Sequence, residues 1–468
     1  MKVALLGVGG CGTRLVDQFV RTEHRTGRSV TNGNVLAFHT ESQPLSQTTA
    51  LSTDQHILLG DTHPAVLRRD TNSPATDSSN SSHDPQLQSE TSTTTSQQGT
   101  SNNPRTRGYD INEYGVGGDP DVGAQVAKAD RPEIRRALDK IDETEVAATM
   151  IVVGLGGGTG AGVGSVLLEE LTDIYETEVY TLGVLPADTE SDQRALTAAR
   201  GLRTLVPRAA STLLVDNDSW SRDRDAVADC YQSINQMTVD RLLSVFGAGE
   251  ANTTFESELR IDPADISRTL AVGGVTTVGR ATVEIDSNAH GLLARILRLL
   301  GRSQPSGSTP VDASKIKTLI SRAVQSKLTL PCEITSADRV LLILSGPPDT
   351  ISRKGFETGR YLLEEETQTV EVLAGDEPIQ NTTELTATVV LANVTSVPQI
   401  DELQRRAVPT EDAVTTTSGP STTTEQTATT DEMNSQTVEP SADEDSTPAE
   451  FDFTNAETAS ETTDSTEQ

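Results

Sequence analysis

Residues 156–162, Gly156-Gly157-Gly158-Thr159-Gly160-Ala161-Gly162, stand between an apolar run (150–155) and a stretch of helical spacing (163–171). Backbone stripped of side chains at a strand-to-helix turn lets N–H groups converge on an anion, with Thr159 as a hydroxyl donor. The loop lacks the Lys of G-x-x-x-x-G-K-[ST] and is not a Walker loop. A second turn of the same kind, Gly7-Val8-Gly9-Gly10-Cys11-Gly12, follows the run VALL and satisfies G-x-G-x-x-G. Close helix-to-sheet packing would explain one such loop. Two on neighbouring strands imply an extended ligand with several phosphates. The first loop alone also fits a nicotinamide-dependent oxidoreductase, which wants an acid about 20 residues on, at the end of the second strand. The nearest there is Glu41.

The elements that must hold these loops are legible as short apolar runs: KVALLGV, VLAFHT, MIVVGL, EVYTLGVLP and TLLVDND, each followed by a helix-compatible stretch. Such alternation predicts an α/β fold, a parallel sheet with helices on both faces and a ligand at the strand carboxyl ends. After about residue 270 the runs ATVEI, VLLILS, TVEVLAG and LTATVVLANV are spaced widely around two helices, predicting a second, α+β domain. Residues 71–104 and the Thr-, Ser- and acid-rich chain from about Pro409 hold too little apolar surface to offset ordering, and are expected to be disordered.

Composition narrows the function. The chain of 468 residues has 69 Asp+Glu against 37 Lys+Arg, a formal charge of −32, which excludes a broad basic face for nucleic acid. The acid surplus fits a cytosol kept at high salt. Three scattered cysteines without CxxC predict a reducing, cytoplasmic setting and no structural metal. The chain has no apolar run of the ~18 residues that a membrane span needs. A basic amphipathic segment at 290–300 reads either as a packed helix or as a surface for a membrane or a neighbouring filament.

GGGTGAG resembles the glycine signature of the tubulin and FtsZ superfamily of GTPases, with Ala161 where the family has Ser or Thr. Other loops follow in the family's order. Gly115-Val116-Gly117-Gly118-Asp119-Pro120-Asp121-Val122-Gly123 resembles the γ-phosphate loop, and 39–45 (HTESQPL) stands where the family has NTDAQAL. Glu190 and Arg194 keep the spacing of the ribose-contacting Glu and the Arg after it. Asn217 sits at the guanine-contacting position, and Tyr231 and Asn235 match the residues that stack on and hydrogen-bond the base. The likeness covers roughly residues 1–400 and is strongest to the archaeal CetZ branch.

The resemblance implies a Rossmann-type GTP-binding domain (1–225), a long central helix (226–246), a C-terminal activation domain (247–405) and an acidic tail (406–468). It implies GTP or GDP with Mg²⁺, contacted by Gly9, Gly10, Cys11, Gly117, Gly118, Gly157, Gly158, Thr159, Gly160, Glu190, Arg194, Asn217, Tyr231 and Asn235. It also implies head-to-tail filaments of the chain with itself, a role in cell shape or division, and paralogous FtsZ-like proteins as candidate partners. Residues 258–266 align with the loop that, in relatives, completes the next subunit's site. Asp262 and Asp265 are then the expected catalytic carboxylates, orienting water toward the γ-phosphate, with Arg260 replacing the family's Asn. Asp262-Pro263-Ala264-Asp265 also reads as an ordinary helix start, and a cap can present a carboxylate too. A nucleotide-binding relative that modulates other filaments without polymerising or hydrolysing GTP is the alternative.

Overall fold

In the strand Val3–Val8 (β1) every residue is buried, because successive side chains enter two different cores. Ala4, Leu6 and Val8 face one core, Val3 and Leu5 the other. This computed structural model describes residues 1–61, 63, 115–220, 227–248, 261–285, 313–326, 328–347, 353–380 and 382–417. The expectations for 71–104, Arg260 and 290–300 lie outside the described residues.

Helix α1 (Gly9–Thr26) follows β1, and β2 (Val35–His39), α2 (Ser42–Ser46) and β3 (His56–Leu58) come next. Then α3 (Pro120–Ala129) and α4 (Arg131–Leu138) lead to β4 (Ala148–Gly154). A π-helical segment, Thr159–Val163, opens into α5 (Gly164–Ile174), followed by β5 (Glu178–Leu185), α6 (Asp192–Leu205) and β6 (Ser211–Asp216). The second half comprises α7 (Val227–Phe246), α8 (Pro263–Leu270), β7 (Val275–Glu284), α9 (Ala313–Ser326) and β8 (Arg339–Gly346). It ends with α10 (Arg353–Thr367), β9 (Val372–Pro378), β10 (Glu384–Ala392) and α11 (Pro398–Thr417).

The strands form one ten-stranded sheet in the order β3-β2-β1-β4-β5-β6-β7-β10-β8-β9. From β3 to β7 all pairs are parallel; β10 runs antiparallel to β7 and β8, and β9 is parallel to β8. The expected second domain therefore has its strands on the same sheet. The join is short: only Thr212 with Val275 and Leu213 with Thr276 pair β6 to β7. Helices α1, α7 and α8 cover one face, and α3 to α6 with α9 to α11 cover the other. The expected start of the tail at 406 needs correction. Helix α11 continues to Thr417, and Ala407 is buried with Ile400 and Leu403 at helical spacing.

Candidate functional site

Strand order reverses between β1 and β4: the chain leaves β1 for β2 on one side and places β4 on the other. Such a switch point opens a crevice at the strand carboxyl ends. Both glycine loops lie in it. A cleft of about 260 Å³ is lined by Gly9, Gly10 and Cys11 after β1, and by Gly157, Gly158, Thr159 and Gly160 after β4. Gly118, Glu190, Arg194, Asn217, Tyr231 and Asn235 complete the expected set; Gly117 adjoins Gly118 outside the lining.

The glycines have geometric reasons. Gly9 takes φ +70°, and a Cβ on it would lie 3.1 Å from the Gly160 nitrogen in the facing loop. A Cβ on Gly160 would meet the Gly154 carbonyl oxygen at 2.3 Å, a clash with backbone that nothing can relieve cheaply. Val8 gives α1 no side-chain cap, and Gly158 gives none to the π-helical segment. In a chain with 69 acids, neither start carries an acid in its first turn. The two positive helix ends thus converge on the cleft with no carboxylate of their own in that turn, as an anionic ligand requires.

Polar side chains sit on the other wall. Asn217 follows β6 and is buried. Tyr231 and Asn235, one turn apart on α7, are half-buried. Burial pushes the Tyr231 phenol up, with Glu190 pushing the same way, so it stays protonated. Glu190 accepts from the Ala187 N–H (2.9 Å) and pairs with Arg194 (3.3 Å). Burial pushes the Cys11 thiol up to about 11, leaving it a neutral group and a poor nucleophile.

Arg14, which sequence reasoning missed, lines the same cleft and lies 5.8 Å from the centroid of the Tyr231 ring. It stands one turn after Cys11 on α1, a spacing that could have flagged it. His39 ends β2 close to Arg14 and Gly10. Its Nδ1 accepts from the Glu41 N–H at 2.8 Å, so the single proton of the neutral ring sits on Nε2. Beyond it, Thr40 and Thr159 hydroxyls meet at 2.8 Å, tying the loop after β2 to the glycine loop.

Asp262 and Asp265 are not part of this cleft. Asp262 is the N-cap of α8: its Oδ1 accepts from Ala264 N (2.7 Å) and Asp265 N (3.1 Å), while Asp265 Oδ2 accepts from Asp262 N (3.1 Å). Helix α8 lies at the opposite edge of the sheet. Ser267 Oγ is 3.9 Å from Met1 Sδ ahead of β1, and Arg268 pairs with Glu371 just ahead of β9. The Arg268 carbonyl also accepts from Arg339, the first residue of β8. Since β8 and β9 run in the direction of β1, all three contacts mark the strand amino ends. The carboxylate pair and the cleft are held at opposite edges, separated by about 20 Å of strand.

Residues 2–225 match the tubulin/FtsZ family GTPase domain, and residues 224–409 match the tubulin-like CetZ C-terminal domain. The tubulin-like protein CetZ1 of Haloferax volcanii is 34% identical over 88% of this chain and 93% of its own. The chain belongs to the tubulin/FtsZ family, in its CetZ branch. The structure of H. volcanii CetZ1 as a GDP-bound monomer superposes with a TM-score of 0.66 at 31% identity, covering 88% of this chain and all (100%) of that one. That of H. volcanii CetZ2, a GTPgS-bound protofilament, gives 0.66 at 26% identity, covering 89% and 100%. Among the described residues of this family member no helix is long and apolar enough to cross a membrane.

Proposed function

We propose that this chain is a cytoskeletal GTPase that binds GTP in the cleft, polymerises head to tail, and hydrolyses its nucleotide with the Asp262/Asp265 loop of the adjacent subunit. The observation that carries this is the placement of glycine loops and carboxylates at opposite edges of one sheet. Stacked in register, copies would bring the α8 start of one onto the cleft of the next. The relatives' GDP and GTPgS complexes, one of them a protofilament, point the same way.

The residues present fit a guanine nucleotide. N–H groups of the first turn of α1 and of residues 157–160 would hold the phosphates, with the Thr159 hydroxyl; Gly117 and Gly118 would close on the terminal one. Glu190 would take the ribose hydroxyls, Tyr231 would stack on the base, and Asn217 and Asn235 would read its edge. Among the described residues no cluster of three His, Cys, Asp or Glu offers a metal cage, so Mg²⁺ would be held largely by the phosphates and supply charge neutralisation there. Asp262 and Asp265 each commit one oxygen to the cap, and the carboxylates would orient the attacking water. A role in cell shape or division follows from filament formation.

Sedimentation and phosphate release in molar KCl with GTP and Mg²⁺ test the proposal. Polymer pelleting with GTP, and a phosphate-release rate per molecule that rises with protein concentration, are expected. GTP binding with concentration-independent release and no pellet would favour a non-polymerising modulator of paralogues.

A further inference from the structure

The six-residue loop between β5 and α6 (186–191), which carries Glu190, is fastened from outside by one side chain of α11. Arg406 Nη2 donates to the Glu190 carbonyl oxygen (2.9 Å), Nη1 to Asp188 Oδ1 (3.0 Å) and Nε to Asp192 Oδ1 (3.2 Å). A planar guanidinium presents its donors to three such acceptors in one fixed fork, which the compact, rotatable donors of an ammonium do not reproduce. Leu403, one turn before Arg406 on α11, packs into the same core as Ala195, Ala198 and Leu202 of α6, and Ala407 beside Arg406 is buried, which fixes the helix that presents it.

The anchor reaches further than the loop it touches. The Asp188 N–H donates to Asp218 Oδ2 at 2.6 Å, and Asp218 adjoins Asn217 in the loop after β6. That loop is itself wound onto Asp216, whose carboxylate accepts from the N–H groups of Asp218 (3.1 Å) and Ser219 (3.2 Å). Asp188, Asp192, Asp216 and Asp218 thus lie in the loops beside the cleft that Glu190 lines, where Arg406 from α11 and Arg194 from α6 bring positive charge. Burial pushes the Asp218 carboxyl up and the Asp188 and Asp216 carboxylates push it the same way, while the hydrogen bond from the Asp188 N–H and the charge of Arg406 oppose them. The Arg406 side chain is 16% exposed, so high salt screens it less than an open surface pair.

We infer that Arg406 is a positioning residue that aims Glu190 at the sugar of the bound nucleotide, making the C-terminal helix part of the nucleotide grip. The inference rests on the reading that Glu190 meets the ribose hydroxyls, and the two fail differently.

The test compares the affinities of the full chain for GDP and for 2′,3′-dideoxy-GDP in molar KCl, in wild type, Glu190→Ala, Arg406→Ala and Arg406→Lys, with the melting temperature of each. Wild type is expected to prefer GDP, and Glu190→Ala to lose that preference. Arg406→Ala is expected to lose about tenfold in GDP affinity, with dideoxy-GDP little changed. Arg406→Lys, which still folds if the alanine variant does not, falls between. If Glu190→Ala erases the preference while both Arg406 variants keep it, or if they weaken both nucleotides equally, the inference about Arg406 is overturned and the ribose reading stands. If Glu190→Ala keeps the preference, both are overturned.

Discussion

His39 is held neutral by its surroundings: burial, and then the Arg14 guanidinium, lower its pKa from 6.5 to about 4. Because the folded-state value lies below the unfolded one, the unfolded chain takes up a proton first as pH falls. Stability from this residue is therefore fully present above 6.5 and is lost on acidification toward 4. Between pH 6.5 and 5 the loss amounts to about 2 kcal/mol. His39→Asn keeps an acceptor for the Glu41 N–H and cannot titrate. Chemical denaturation of nucleotide-free protein in molar KCl should show a steeper fall across that window for wild type than for His39→Asn, by that amount. Equal slopes would mean that the ring is solvated like any surface histidine. Burial, which sets this behaviour, is not written in the motif. HTESQPL shows where the loop belongs, and nothing in it shows that Arg14 stands beside His39.

At the scale of elements, α8 separates two roles that one short sequence can serve. Asp262→Ala removes the side-chain acceptor for Ala264 N and Asp265 N and should cost about 1 kcal/mol of stability. Asp262→Asn keeps a cap and removes the charge. If the carboxylate only caps, asparagine should leave phosphate release intact. If it also orients water, Asp262→Asn should retain the wild-type melting temperature and lose about a hundredfold in release. The parallel strands were readable because strands buried on both faces are continuous apolar runs, and the glycines because two backbones must touch. Strand β3, three residues long and flanked by polar chain, left no such run. The shared sheet was hidden because two residue pairs make the join. The extent of α11 was hidden by composition: Ile400, Leu403 and Ala407 had helical spacing, while the Thr- and acid-rich stretch after Pro409 read as tail.

For the whole molecule the central question is whether a complete site exists within one chain. For the α8 carboxylates the fold sets the distance: α8 is tied to the amino edge of the sheet by Met1, Arg339 and Glu371, away from the cleft at the other edge of its own chain. A formal charge of −32 opposes stacking of copies, and a Debye length of roughly 3 Å at 1 M salt removes most of that repulsion. Two defective proteins can therefore be asked to repair each other. One carries Asp262→Asn with Asp265→Asn and an intact cleft; the other carries Asn217→Ala with Asn235→Ala and an intact loop. Each alone should release phosphate slowly. Mixed at high total concentration in molar KCl, they should recover activity at interfaces where an intact cleft meets an intact loop. With equal amounts and random stacking, about a quarter of interfaces have that composition, so recovery toward a quarter of the wild-type rate is expected, and dilution should abolish it, as for any site made between subunits. A mixture no faster than the sum of its parts, while wild type still pellets with GTP, would place the catalytic groups within a single chain and leave the carboxylates of α8 as a cap alone.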